Sequence, residues 1–361
     1  MFESKLIDNI IPYKVSSHRA WELEHKNILK LDWNEATIPP SPKVNKVIIE
    51  ILKSGKMNWY PNVNNESLRM KLAKYNSVSD RNIQYFASSD SLHEYVVRCF
   101  IEGSDKILVV APTYDNFRAV AEGNGGKIIH HNLTNEFQLN YDNFEKQLKE
   151  QRPKMVYLVN PNNPTGISYD IKILESIIKR YENILFIIDE AYYEFCGKTL
   201  CHLTQSQENL IISRTFSKAF ALASFRIGYV IAHPSIIQIL NKLRNSKSIS
   251  LMAQAAAEAV LDDLSYTEKY VKEVKETRRW FYNELKKHDF LTPFESDGNF
   301  IFLKFVDAKT KNKLIEYLEK TNIFIRDYGH IQTTSTCARI TVGTLNQMNQ
   351  VLRHINDFSA L

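Results

Sequence analysis

The chain has 361 residues, 44% hydrophobic and 24% charged, with a formal net charge of +5. That length allows two domains and a substantial core, while lysines interleaved with glutamates leave no block of like charge to grip nucleic acid or an acidic membrane. No apolar run approaches the roughly 18 residues a membrane helix needs, and Met1 to Ile10 lacks the basic-then-apolar order of a signal peptide. The four cysteines (Cys99, Cys196, Cys201, Cys337) form no metal-type pairs, so the expectation is free thiols in the cytoplasm.

Residues 1 to about 30 read as an N-terminal arm, interrupted at Pro12-Tyr13. Leu29 to Trp33 is an expected short strand ending in Asn34-Glu35, and Pro39, Pro40 and Pro42 enforce an extended turn. Val44 to Lys53 has helical spacing, and Asn58-Trp59-Tyr60-Pro61 is an aromatic loop before a helix from Glu66 to Tyr75. The chain then alternates. Asn82 to Phe86, Ile107 to Ala111, Lys127 to His131, Met155 to Val159, Ile184 to Ile188, Leu210 to Ser213 and Ile227 to Ala232 read as strands, several separated by helices such as Ile171 to Tyr181. Strands apolar on both faces predict an α/β unit, a mainly parallel sheet covered by helices, over residues 31–255. A long helix from Tyr266 to His288 leads away. Alternating strands at Asn299 to Phe305 and Ala338 to Val342, with helices at Lys311 to Lys320 and from Thr344, predict a smaller α+β domain over 256–361.

In open α/β sheets, ligands bind beyond the carboxyl ends of the strands. Those ends carry Ser88-Ser89-Asp90 at a helix start, Pro112-Thr113-Tyr114, Asn160 to Gly166, Asp189-Glu190-Ala191-Tyr192, and Thr215 to Lys218. Any one of these is also a common turn or cap. Lys218 sits among Phe216, Ala219, Phe220 and Leu222. There it reads either as a surface lysine on an amphipathic segment or as a desolvated, nucleophilic amine. With Thr215, Ser217 and Arg226 nearby to hold a phosphate, such an amine is what pyridoxal phosphate needs.

Four blocks in order, Asn162 to Gly166, Asp189 to Tyr192, Arg214 to Gly228 and Arg339 to Thr344, resemble the fold-type I pyridoxal-phosphate-dependent aminotransferases, most closely the histidinol-phosphate aminotransferase family. The resemblance runs nearly end to end. It implies that Lys218 bonds the cofactor and then shuttles a proton, and that Asp189 pairs with the pyridine nitrogen. It also implies that Asn163 and Tyr192 donate to the phenolic oxygen and that Tyr114 stacks on the ring. Ser89, Asp90, Thr215, Ser217 and Arg226 would hold the cofactor phosphate, and Tyr60 would reach into the site of the second subunit of a homodimer. On the substrate side the family pattern matches Arg339, Arg326 and Tyr13, with Asn34 in the neighbouring wall. Arg326 has an alternative reading, a surface pair with Asp327 or another acid.

The chain departs from that family at Ser88-Ser89-Asp90-Ser91, where the usual pattern is Gly-Ser-Asp-Glu. It departs again at Asn34 to Pro39, usually of Asn-Glu-Asn-Pro type, and at Ser246 to Ser250, where Lys247 reads as a solvated charge or a further phosphate contact. These changes spare the cofactor machinery and touch the substrate pocket. The implied activity is amino transfer between a small phosphorylated amine or ketone, histidinol phosphate or smaller, and a 2-oxo acid such as 2-oxoglutarate. The alternatives are decarboxylation of a phosphorylated amino acid of the threonine- or serine-phosphate type, and a cofactor-binding regulatory module.

Overall fold

The computed structural model describes residues 5–8, 10–13, 19–23 and 27–360. Parts of the expected arm, 1–4, 9, 14–18 and 24–26, lie outside the described residues. In chain order the strands among the described residues are β1 (Leu29–Leu31), β2 (Ile83–Phe86), β3 (Lys106–Ala111), β4 (Lys127–Asn132), β5 (Met155–Val159), β6 (Leu185–Asp189), β7 (Leu210–Thr215), β8 (Gly228–Ala232), β9 (Leu291–Pro293), β10 (Phe300–Phe305), β11 (Ile323–Asp327) and β12 (Cys337–Thr341).

The larger sheet has the order β2-β8-β7-β6-β5-β3-β4, and only β8 runs against its neighbours. Its strands read as continuous apolar runs because both faces are covered. Side chains alternate faces along a strand, and the sheet's residues divide accordingly. Leu108, Val156, Phe186, Ile188 and Ile212 join one core, under helices Pro42–Lys53, Glu66–Asn76 and Leu251–Leu261. Ile107, Val109, Tyr157, Ile187 and Ile211 join the other, under helices Ser89–Phe100, Asn116–Gly123 and Pro234–Leu243. Val159 pairs with Asp189, and Asp189 in turn with Ser213, so the carboxyl ends of β5, β6 and β7 lie level.

The smaller sheet has the order β1-β11-β12-β10-β9 and is antiparallel except for β1 on β11. β10 and β12 match the expected alternating strands and pair directly. β11 has no counterpart among the expected strands. The strand before Asn34 does not join the larger sheet: Leu29, Lys30 and Leu31 pair with Ile323, Phe324 and Ile325. The segment after β1 therefore crosses from the small sheet to the large one, and it passes over Lys218 as it does so. The long helix runs from Leu264 to Leu285 and packs against the terminal helix Leu345–Ser359, whose Thr344 and Gln347 form the expected capping box.

Candidate active site

Helix Ser89–Phe100 starts where β2 ends, with its unpaired N–H groups at the carboxyl edge of the sheet. Ser88 caps it, its Oγ accepting from Ser91 N at 3.1 Å, with φ 103° and ψ 164°. That is a backbone region glycine favours and a serine occupies under strain. Gly228 faces this turn, where a Cβ would lie 2.7 Å from Ser89 N and 2.8 Å from Arg214 O. Only a glycine lets β8 begin against the helix start. The Asp90 carboxylate accepts from the Tyr114 hydroxyl at 2.9 Å and from Arg226 Nη2 at 3.2 Å. Thr215 Oγ1 accepts from Ser217 N at 3.1 Å, closing the turn that leads to Lys218.

Asp189 is buried at the end of β6, Oδ1 accepting from Ala191 N at 3.1 Å and Oδ2 from the Tyr157 hydroxyl at 3.0 Å. Burial raises its pKa, and nearby His93 opposes that. Behind it lie residues that sequence reasoning missed. His93 Nε2 is 3.1 Å from Ser213 Oγ and 3.9 Å from Asp189 Oδ2, and Tyr157 stacks on Phe117 with centroids 4.0 Å apart. Next to Asp189, Glu190 is fully buried and receives the equally buried Arg214 at 2.7 and 3.0 Å. This ion pair ties the end of β6 to the end of β7.

The half-buried Lys218 amine donates to the Trp33 carbonyl at 2.8 Å. Burial lowers its pKa to about 8, assisted by the Arg339 charge. Around it the structure gathers Asn163, Tyr192, Asn34 and Arg339. Arg339 Nη1 donates to Asn163 Oδ1 and to the Tyr328 hydroxyl (3.0 Å), and Nη2 donates to the Asp32 carbonyl. Burial pushes the Tyr192 hydroxyl pKa up.

Arg326 and Arg339 are direct cross-strand partners on β11 and β12, and both are buried. Asp327 does not pair with Arg326: it accepts from the buried Lys311 at 2.5 Å, on the other side of the strand. Tyr13 meets Tyr114 edge to face at 5.7 Å, and the charges acting on its hydroxyl include Arg326, Arg339 and Asp90, so the arm reaches this space. Asn34, expected on the substrate side, is buried and hydrogen-bonded on both sides of its amide. Its Nδ2 donates to the Tyr192 hydroxyl at 3.0 Å and its Oδ1 accepts from Thr341 at 3.1 Å. Tyr60 is 78% exposed and stands outside this cluster, with the Lys247 amine 5.0 Å from its ring centroid. Tyr328 and the Trp33 carbonyl also escape sequence reasoning. The first lies just past an unexpected strand, and the second is a backbone atom that no residue type announces.

A family model for aminotransferase class I and II matches residues 26–355. The dihydroxyacetone phosphate transaminase of Campylobacter jejuni subsp. jejuni is 46% identical over 366 residues, covering 99% of this chain and 98% of that relative. A histidinol-phosphate aminotransferase of Caldanaerobacter subterraneus subsp. tengcongensis is 30% identical over 353 residues, covering 98% and 99%. Among solved structures, the histidinol-phosphate aminotransferase from Sinorhizobium meliloti in complex with pyridoxal-5'-phosphate aligns with a TM-score of 0.88 at 24% identity, covering 99% of this chain and 98% of that one.

Proposed function

The chain belongs to the aminotransferase class I and II family, and from that premise we propose that it is a pyridoxal-phosphate transaminase for a small phosphorylated ketone of the dihydroxyacetone phosphate kind, with glutamate as amino donor. One observation carries the phosphate: the buried Arg326 and Arg339 are cross-strand partners, so their side chains leave the same face of β11 and β12. Two planar forks on one face can each bind a phosphate dianion bidentately. The Arg339 Nε, buried without a partner among the described residues, supports the same reading. Tyr13, Tyr114 and Tyr328 crowd this space, which favours a three-carbon substrate over one bearing an imidazole ring.

The residues present fit pyridoxal phosphate. The start of helix Ser89–Phe100, kept accessible by Gly228, offers the N–H groups of Ser89 and Asp90 to its phosphate, joined by Thr215, Ser217 and Arg226. When bound, the cofactor supplies an aldehyde for amine exchange and a ring that spreads negative charge away from the substrate carbon. Lys218 would hold the cofactor through that aldehyde and, as a free amine, would take the proton from the nitrogen-bearing substrate carbon and deliver it to the former aldehyde carbon. A pKa of about 8 suits both directions. Asp189 would keep the proton on the ring nitrogen, and that cation would relieve the cost of burying the Asp189 carboxylate. Asn163 and Tyr192 orient the ring and Tyr114 covers one face. Tyr60 serves the site of a second copy in a homodimer, supported by the exposed Ile49, Leu52, Met57 and Trp59 that precede it in the chain. Free cysteines support a cytoplasmic location.

The test is a panel of phosphorylated amines, ketones and amino acids offered to the purified holoenzyme, reading the cofactor spectrum and carbon dioxide together. Glutamate-dependent amination of dihydroxyacetone phosphate without carbon dioxide is expected. Carbon dioxide released with no 2-oxo acid acceptor would turn the assignment to a decarboxylase. Bound cofactor that never responds to amines would turn it to a regulatory module.

A further inference from the structure

The turn after β1 carries a charge cluster that the reaction scheme leaves unused. Lys30 Nζ lies 2.9 Å from Asp32 Oδ1 and 2.5 Å from Glu35 Oε2, and 4.8 Å from the centroid of the Trp33 ring between them. Arg339 holds the same turn from the other side through the Asp32 carbonyl. The carbonyl of Trp33, fixed by these contacts, accepts from Lys218. We propose that Lys30 and Glu35 are positioning residues, which hold the Trp33 carbonyl as the resting place of the free Lys218 amine and set the charge that amine meets. This rests on the role given to Lys218 under the proposed function.

The charged groups that act on Lys218 are Arg339 and Lys30, which disfavour its protonation, and Glu35 and Asp90, which favour it. Lys30, Asp32 and Glu35 together carry one net negative charge. Glu35→Gln brings that to zero, Lys30→Gln leaves two negative charges, and the double variant returns to one. A cavity of about 370 Å³ lined by Lys30, Glu35, Thr37, Ala221, Ser224 and Gln347 borders the cluster. Solvent entering that cavity would keep each effect moderate, about half to one pH unit. The cluster thus predicts opposite shifts for the two single variants, which loss of packing does not produce.

The experiment follows Lys218 in the full chain freed of cofactor. The protein is treated with limiting acetic anhydride across pH, and modification of the Lys218 peptide is read by mass spectrometry. The wild-type midpoint is expected near 8. Glu35→Gln should lower it by about half to one unit, Lys30→Gln should raise it as much, and the double variant should return it. The acidic limb of the holoenzyme's pH–rate profile should move in the same order. Shifts in one direction for both single variants, or none in either, would overturn the proposal. Lys218→Ala separates the two layers: full activity in that variant sinks the role of Lys218 itself, whereas unshifted single variants sink only the positioning role.

Discussion

Arg214→Met tests how the ends of the two central strands are held together. The guanidinium is 1% exposed and donates to Glu190 Oε2 at 2.7 and 3.0 Å, to Asn76 Oδ1 at 2.6 Å and to Thr199 Oγ1 at 2.8 Å. Its Cζ also stands 3.4 Å from the centroid of the Tyr193 ring. Methionine refills much of the stem volume but leaves Glu190, itself 1% exposed, without its cation. Removing one partner of a buried ion pair costs about 3–5 kcal/mol. Glu190 keeps hydrogen bonds from Thr199 Oγ1 (2.8 and 2.9 Å) and Leu200 N (3.1 Å), which places the loss at the lower end, about 3 kcal/mol. The double variant Arg214→Met/Glu190→Gln removes the orphaned charge and should recover about 1–2 kcal/mol. Urea unfolding of the cofactor-free chain followed by circular dichroism, with a common slope, measures both. Cofactor affinity should fall as well, since Asp189 precedes Glu190 and Lys218 closely follows Arg214. A loss below about 1 kcal/mol, or a double variant no better than the single one, would refute the view that the pair is dry and mutually dependent.

Burial pushes the Glu194 carboxyl up to about 7, against the pull of Arg214, while it accepts from the Tyr75 hydroxyl at 3.3 Å. Because the folded form holds this proton more tightly than the unfolded one, stability from this group is full below about pH 4.5 and falls as pH rises through 7. Glu194→Gln should therefore add about 2–3 kcal/mol above pH 7 and nothing near pH 4, checked by denaturation at the two pH values. Ser88→Gly relieves the strained φ of 103° but loses the cap to Ser91, so a gain of about 1 kcal/mol is expected in thermal unfolding of the cofactor-free chain. Asp189→Asn should preserve the fold and lower kcat by about 100-fold or more, measured as single-turnover proton abstraction. Near-normal turnover would remove its assigned role. Arg326→Lys keeps the charge but loses the fork, so KM for the phosphorylated substrate should rise about 10-fold while that for glutamate changes less.

Much of the site is legible in the sequence because the parallel strands of a mainly parallel sheet place their carboxyl ends on one edge. Short apolar runs mark β2, β3, β5, β6 and β7, and the residues just past each run, from Ser88 to Lys218, arrive at that edge by topology alone. Lys218, Asp189 and the helix start at Ser89 are legible for this reason, whereas the expectation for Tyr60 rests on family resemblance and not on topology. Strand and helix limits obey the same logic, since they depend on local periodicity and caps such as Thr344 with Gln347.

The tertiary structure decided what depends on pairing across long separations. Leu29 of β1 pairs with Ile323 of β11, near the opposite end of the chain, which is why the Trp33 carbonyl crosses above Lys218. The register of β11 on β12 is what sets Arg326 against Arg339 and turns Asp327 toward Lys311. Asn34 has the composition of a ligand-facing residue, yet Tyr192, Thr341 and Asn299 take up its backbone and side chain. A residue type states which hydrogen bonds a group can make, and the fold states which partners are within reach. For the amine of Lys218 that partner is a backbone oxygen, held in place by Lys30 and Glu35.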